Sequence, residues 1–104
     1  MVKLLGEVLA LLYVVIAKDG TDAEAPVRRS AAREAHLEVA SELHADGRLV
    51  TGGALLDAAG NMIGSMLLLD VESEAEARRL LEDDVYTRSG VWREFEVWPF
   101  RKAF

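Results

Sequence analysis

The sequence predicts an α+β domain in which four β-strands and two α-helices follow one another in the order βαββαβ. Four short apolar runs, rich in β-branched residues, are typical of strands. Two other segments carry apolar residues at helical spacing, and turn-forming Gly, Asn and Asp residues separate most of these segments. With 104 residues, the chain has the size of a single domain with one hydrophobic core.

The first strand is predicted from Leu9 to Ala17, where no polar side chain occurs, and Asp19-Gly20 favours a turn after it. We interpret residues 1–8 as an N-terminal extension and residues 9–104 as the domain. The apolar run loosely resembles a secretory signal, but Glu7 interrupts it and cleavage would remove the best strand. We therefore expect no signal peptide, and the run is too short to span a bilayer.

The first helix is predicted from Val27 to Asp46, because Gly47 stands where a left-handed C-terminal cap is usual. Its apolar face, given by helical spacing, consists of Ala32, His36, Val39, Ala40 and Leu43. Three glutamates lie on the opposite side of this helix. The predicted apolar face therefore includes a histidine.

Two further strands, Arg48–Asp57 and Met62–Asp70, are joined by Ala58-Ala59-Gly60-Asn61, which suits a hairpin turn. The second of these runs has apolar residues on both faces.

The second helix is predicted from Glu74 to Asp83, because Ser73 and Glu76 form an S-x-x-E capping pattern. We expect a loop over residues 84–90 and a last strand over Val91–Phe100. Strict alternation along this strand predicts that Trp92 and Trp98 share one face.

This order of elements folds naturally into a four-stranded antiparallel sheet with both helices on one face, since each crossover is then right-handed. That arrangement is the ferredoxin-like fold. Strands one and three are apolar on both faces, and two helices cover only one of them. We therefore expect a homodimer or higher homo-oligomer.

Composition excludes several classes of function. The chain has no cysteine, so it has neither disulfides nor thiolate chemistry, which fits a cytoplasmic protein. A net charge of −6 opposes nucleic-acid binding, since phosphate recognition needs concentrated positive charge. Neither a metal-ligand spacing nor a phosphate-binding glycine loop is present. We expect no cofactor, no metal and no membrane partner.

The two histidines are the best candidates for proton transfer near neutral pH. His44 lies at the end of helix one, where it can simply interact with the helix dipole. His36 lies among apolar residues, and its pattern fits either a hydrogen-bonded core histidine or a catalytic one. Arg33, about one turn earlier, could hold an anionic substrate or be an ordinary surface arginine.

Two other features are unusual for their positions. Asp83-Asp84 follow helix two, where acidic residues meet the negative end of the helix dipole. Orienting a histidine would explain them, and so would simple solvation in a loop. Gly52-Gly53 and Gly64-Ser65 interrupt predicted strands, which indicates a bulge or a pocket wall.

Several segments together resemble one family, the YciI-like (YCII-related) proteins. They are Leu12-Tyr13-Val14-Val15, Arg33-x-x-His36-Leu37, Gly47-Arg48-Leu49-Val50, Gly53-Ala54-Leu55-Leu56-Asp57, Gly64-Ser65, Asp84-Val85-Tyr86 and Gly90-Val91. The resemblance covers about Leu11 to Phe104 in unbroken order.

The resemblance implies a dimeric α+β barrel of ferredoxin-like subunits, related in architecture to muconolactone isomerases. It also implies a histidine and aspartate pair in a cleft, which corresponds to the catalytic residues His36 and Asp84. From their positions beside this pair we expect Arg33 and Ser65 to be substrate-binding residues. Val85 departs from the proline usual after this aspartate, as does Ala54 from the proline usual after the strand-two glycine.

We therefore expect a cofactor-independent enzyme of isomerase or lyase type that transfers a proton with a His-Asp pair and acts on a small molecule. The alternatives are a non-catalytic dimeric module that binds a metabolite or assists another protein, and a purely structural role for His36.

Overall fold

The structure is a computed structural model that describes residues 11–104. Its elements are β1 (Leu12–Asp19), α1 (Ala25–Ala45), β2 (Leu49–Leu56), β3 (Met62–Leu69), α2 (Glu74–Asp83), α3 (Val85–Arg88) and β4 (Trp92–Phe100). The predicted N-terminal extension and the first residues of the predicted strand one lie outside the described residues.

The four strands form one antiparallel sheet in the order β2-β3-β1-β4. The predicted ferredoxin-like arrangement is confirmed. Strands β1 and β3 lie at the centre of the sheet, as their apolar composition on both faces requires. The helices pack on the face that carries Val15, Ala17 and Leu69, which are buried in the core together with Leu81 of α2. We call this the inner face.

Helix α1 begins two residues before the predicted start, with Pro26 in its first turn, where a proline loses no intrahelical hydrogen bond. Its buried side chains are Ala25, Arg29, Ala32 and His36. The prediction for Val39 is wrong, because this side chain is 37% exposed at the edge of the buried stripe. The buried stripe therefore includes an arginine and a histidine.

The prediction that Trp92 and Trp98 share a face is also wrong. The pairing between β1 and β4 shifts by one residue between Lys18 and Asp19, so that Asp19 pairs with Trp92. A bulge of this kind inserts one residue and reverses the side-chain alternation beyond it. Trp92 is consequently buried on the inner face, whereas Trp98 is 58% exposed on the other.

Gly64 is required where β3 passes close to β1. A Cβ atom at this position would lie 2.5 Å from the carbonyl oxygen of Ala17, a backbone atom that has no freedom to move aside. The same atom built at Gly53, on β2, meets nothing within 4 Å. Only the first of these two strand glycines is therefore held by sterics within the chain.

We expect Gly64→Ala to lower the free energy of unfolding by about 1–3 kcal/mol, because the two central strands must separate to admit the methyl group. Urea unfolding followed by circular dichroism measures the change. Gly53→Ala is the matched control and should leave stability unchanged or raise it slightly, since glycine weakens strands. Equal stability of the two variants would contradict this account of Gly64.

Candidate functional site

The site is centred on His36, which α1 directs toward the inner face of the sheet. This residue is 8% exposed, and its Nδ1 lies 2.8 Å from Oδ1 of Asp84. The imidazole stacks on Tyr86 with ring centroids 3.7 Å apart and planes 6° from parallel. The ring of Trp92 meets it edge-on at 5.3 Å. Three contacts, to Asp84, Tyr86 and Trp92, thus fix the orientation of the imidazole.

Asp84 occupies the junction of two helices. It follows the last residue of α2 and is the N-cap of α3, where its Oδ1 accepts a hydrogen bond from the Tyr86 backbone N–H at 2.8 Å. The loop predicted over residues 84–90 therefore contains a helical turn at Val85–Arg88. The charge that looked unfavourable after α2 is favourable for a different reason, because aspartate is a preferred N-cap residue.

The geometry also bears on Val85, which replaces the proline usual in the family pattern. Val85 is the first helical residue of α3, a position that proline favours and other residues tolerate. The Asp84 cap and its hydrogen bond to His36 are present with valine at this position. Proline is therefore not needed to direct the carboxylate.

The hydrogen bond to Asp84 bears on which imidazole nitrogen is available. An ionised carboxylate is an acceptor only, so with Asp84 in that form Nδ1 carries the hydrogen that is donated to it. In neutral His36 the other nitrogen, Nε2, then has a free lone pair. Within residues 11–104, Nε2 has no hydrogen-bond partner at all. In this tautomer Nε2 is free to accept a hydrogen bond.

A second buried network lies beside this pair, and the sequence reasoning missed most of it. Arg29 donates from Nη1 to both carboxylate oxygens of Asp19, at 3.0 and 2.9 Å, and from Nη2 to Ser65 Oγ at 3.3 Å. Trp92 donates from Nε1 to the same Ser65 Oγ at 3.1 Å. This network joins α1 to β1, β3 and β4.

Arg29 lies within 5.0 Å of the Tyr86 ring centroid, so the two networks touch. One feature of the sequence indicates that Arg29 is buried. It precedes Ala32 and His36 by three and seven residues and therefore shares their helix face. Its Nε atom is buried without a hydrogen-bond partner in the described part of the chain, an energetic cost that the Asp19 ion pair offsets.

Two concave spaces adjoin these networks. The inner cavity, of about 110 Å³, is bounded by His36, Tyr86, Ser65, Arg29 and Arg33 together with apolar side chains of α1, β2 and β3. The outer cleft, of about 900 Å³, lies at the N-terminal end of α1. Both are lined by Arg29, Arg33 and Met62. These shared residues form the boundary between the two spaces.

The size of the inner cavity limits what can enter it. A cavity of roughly 150 Å³ can hold a benzene ring, so a space of about 110 Å³ admits only part of a ring-sized molecule. The remainder of such a molecule would have to lie toward the outer cleft.

Arg33 is exposed, unlike Arg29, yet it lines both spaces. Within residues 11–104 it makes no ion pair, whereas Arg29 is neutralised by Asp19. All four residues singled out from the sequence, His36, Asp84, Arg33 and Ser65, therefore lie in one region. Asp84 reaches the cavity through His36, while the other three line it directly.

Burial raises the pKa of the Tyr86 phenol above its ordinary value of 10, while the positive charges of Arg29 and Arg33 partly oppose this rise. Tyr86 is therefore neutral at physiological pH. At the cavity wall it offers a neutral hydroxyl group for hydrogen bonding and a ring for stacking.

The sequence profile of the YCII-related domain matches residues 11–101. The chain belongs to this family. The resemblance noted from the sequence is confirmed. Two relatives of the chain come from different organisms. Protein YciI of Escherichia coli O6:H1 is 34% identical over 100 residues, which cover 90% of this chain and 100% of the relative. Fusaric acid biosynthesis protein 2 of Gibberella fujikuroi is 30% identical over 97 residues, covering 86% and 91% of the two chains.

A solved structure with the same fold is 5-chloro-2-hydroxyhydroquinone dehydrochlorinase, TftG, of Burkholderia phenoliruptrix, in complex with 2,5-dihydroxybenzoquinone. It superposes with a TM-score of 0.73 at 28% sequence identity and covers 84% of this YCII chain and 90% of its own.

The described residues offer neither a metal site nor a membrane-spanning helix. Over residues 11–104, the carboxylates and histidines form no cluster of three that could hold a metal ion. None of the helices in that range has the length and apolar character needed to cross a membrane.

The raised pKa of Tyr86 predicts a loss of stability in alkali. The folded state holds the phenolic proton more tightly than the unfolded state, so this contribution is complete below the unfolded value of 10 and is lost as the pH rises through the folded value. Tyr86→Phe should therefore lose less stability than the wild type between about pH 9 and about pH 11, measured by urea unfolding.

Tyr13 is the only other tyrosine and provides the control. In Tyr13→Phe, the tyrosinate absorbance of the remaining Tyr86 should develop above pH 10. A remaining tyrosine that ionises below that value in the folded protein would contradict the burial effect.

Proposed function

We propose that this protein is a small-molecule enzyme of isomerase or lyase type that needs no cofactor, in which His36 transfers a proton and Asp84 orients and stabilises it. The single observation that carries this proposal is the buried contact of 2.8 Å between His36 Nδ1 and Asp84 Oδ1. His36 lines the inner cavity, where Nε2 can act as a base toward a bound molecule. Its substrate would have an acidic C–H next to a carbonyl or equivalent group.

The proposed step uses the two nitrogens of His36 in turn. Nε2 takes the proton from the substrate carbon, while the Nδ1 hydrogen stays directed at Asp84. The resulting imidazolium and the carboxylate form a short ion pair shielded from water, and in such surroundings the attraction between opposite charges is strong. Returning the proton to another carbon gives an isomerisation, and loss of a leaving group gives an elimination.

Arg33 supports the same step. Removal of a proton leaves negative charge on the substrate. Arg33, which forms no ion pair with any carboxylate of residues 11–104, contributes a positive charge to the wall shared by the inner cavity and the outer cleft. Arg29 contributes less net charge, since its guanidinium is already held by Asp19.

The chemistry named for TftG fits this proposal. A dehydrochlorinase removes a proton and a chloride ion, which is an elimination that starts or ends with proton transfer to a base. Its bound 2,5-dihydroxybenzoquinone is a planar ring that carries several oxygens. A compound of this class would place one edge in the inner cavity and the rest toward the outer cleft.

A second candidate is a non-catalytic module that binds a metabolite in the same cavity. The stacking of His36 on Tyr86 and its edge contact with Trp92 favour this alternative, because they also describe a well-packed core histidine. The two functions differ in whether the unmodified protein turns over any substrate and in whether His36 is needed for that turnover.

We expect His36→Asn to reduce turnover by roughly 100- to 10,000-fold, the usual contribution of a general acid or base. Asn keeps hydrogen-bonding capacity at similar size, so the fold should remain. The measurement is the rate of chloride release from 5-chloro-2-hydroxyhydroquinone, the compound named for TftG. His44→Asn changes an exposed histidine and is the control that should retain full activity.

Asp84→Asn separates charge from shape, because asparagine is also a good N-cap and should keep α3 in place. Turnover should fall, and the double variant with His36→Asn should lose little more than either single variant, since the two groups act as a unit. Multiplicative losses, or full activity in either folded single variant, would contradict the His-Asp proposal.

We also propose that the protein is a homodimer formed through the outer face of the sheet. This face carries Leu12, Val14, Ile16, Met66, Leu68, Trp98 and Phe100, as the strand register requires. The helices of the described chain lie on the inner face, so Trp98 remains 58% exposed and Phe100 38% exposed. An apolar surface of this kind on a soluble domain indicates an interaction site.

We expect Trp98→Glu to convert the dimer to soluble monomer or to aggregate, because it places a charge in the apolar contact. Sedimentation equilibrium of the full chain at micromolar concentration gives the mass. Val27→Glu introduces the same charge at an exposed valine of α1 and should leave the dimer intact. A monomeric wild-type protein would contradict the proposal.

A further inference from the structure

The hydroxyl group of Ser65 is held in an unusual way. Its Oγ receives two hydrogen bonds, from Arg29 Nη2 at 3.3 Å and from Trp92 Nε1 at 3.1 Å. Neither a guanidinium nitrogen nor an indole nitrogen can accept a hydrogen bond, so Oγ is the acceptor in both. A hydroxyl oxygen has two lone pairs. Both are therefore used by protein donors.

The hydroxyl hydrogen then has to point elsewhere. Among the residues 11–104, no oxygen or nitrogen receives a hydrogen bond from Ser65 Oγ. The side chain is buried, at 3% exposure, and it lines the inner cavity with His36. Its cross-strand neighbours on the inner face are Ala17 and Ala54, whose methyl groups offer no acceptor. The space left for this hydrogen is the cavity.

We propose that Ser65 is a catalytic residue whose O–H donates a hydrogen bond to the substrate oxygen that gains negative charge when His36 removes the proton. The proposal rests on the proposed function and names its substrate class, a carbonyl or quinone compound whose reacting C–H neighbours an oxygen. As His36 Nε2 takes the proton, the electron pair of the C–H bond stays on the carbon and is delocalised to that oxygen. The product of this step is an enolate, in which the oxygen carries the negative charge.

The surroundings of Ser65 suit this role. The two donors fix the position of Oγ before a ligand arrives, so no reorganisation is needed as charge develops. Hydrogen bonds accepted by an O–H group polarise it and make it a stronger donor. The Arg29 donor carries a positive charge, which adds to this effect. Arg29 and Trp92 are positioning residues in this arrangement, acting through Ser65.

Asp19 has a defined part in the same network. It binds both of its oxygens to Arg29 Nη1, and its side chain is as buried as that of Arg29. The ion pair keeps the guanidinium in place and reduces its attraction for the substrate anion. The substrate oxygen is therefore expected to contact the neutral Ser65 hydroxyl.

Neutron diffraction from a deuterium-exchanged crystal of the unliganded protein tests the geometry without reference to activity. The expected result is a deuterium atom on Ser65 Oγ that points into the inner cavity, with Oγ accepting from Arg29 and Trp92. A deuterium atom directed at any protein acceptor overturns the proposal. This measurement needs no variant, so it remains decisive even where a substitution at Ser65 prevents folding.

Titration calorimetry with 2,5-dihydroxybenzoquinone tests the function. Ser65→Ala should weaken binding by about 10- to 100-fold, the usual effect of losing a hydrogen bond to a charged group. Ser65→Thr keeps the hydroxyl and should recover most of the affinity, and Ser41→Ala, at an exposed site on α1, should match the wild type. Equal affinity in wild type and Ser65→Ala, or no binding to the wild type, overturns the proposal.

The result is separable from the His-Asp proposal. If Ser65→Ala binds the quinone weakly but the wild type turns over no substrate, the Ser65 donor stands and the proposed enzyme activity fails. If His36→Asn abolishes turnover while Ser65→Ala changes neither binding nor rate, the base stands and the Ser65 assignment fails.

Discussion

One carboxylate oxygen connects most of the site. Asp84 Oδ1 accepts from the Tyr86 backbone N–H and contacts His36 Nδ1 at the same distance, 2.8 Å. The first contact starts α3 immediately after α2, and the second joins that junction to α1. Because α3 carries Tyr86, the same turn also supplies the ring on which His36 stacks. The orientation of the His36 imidazole therefore depends on how one short helix begins.

The sequence predicted much of this arrangement, because local signals agreed with the fold. The capping pattern at Ser73 is present as a hydrogen bond from the Glu76 N–H to Ser73 Oγ, and the strand order follows from handed crossovers. The proximity of His36 and Asp84 came from family resemblance, since residues 48 positions apart carry no local signal of contact. Periodicity alone placed His36 on the buried face and left its role open.

Two features of the structure could not be predicted from the sequence, and each has a physical reason. The β4 bulge inserts a single residue, and strict alternation offers no sign of it, so the prediction that Trp92 and Trp98 share a face was wrong. The Arg29–Asp19 pair was missed because arginine is usually a surface residue, and its burial depends on an acid from another element. The two misses are connected, because Trp92 and Arg29 both donate to Ser65 Oγ.

The bulge thus has a consequence for chemistry. Without the inserted residue, Trp92 would lie on the outer face with Trp98, and the inner face would lose its edge contact to His36 and one donor to Ser65. Trp98 and Phe100 pair with Val14 and Leu12 in regular register, on the face that the helices do not cover. The one-residue irregularity in β4 therefore separates the two tryptophans, because it brings Trp92 to the cavity while Trp98 stays on the surface proposed for assembly. Any change that restored regular pairing would disturb both faces at once.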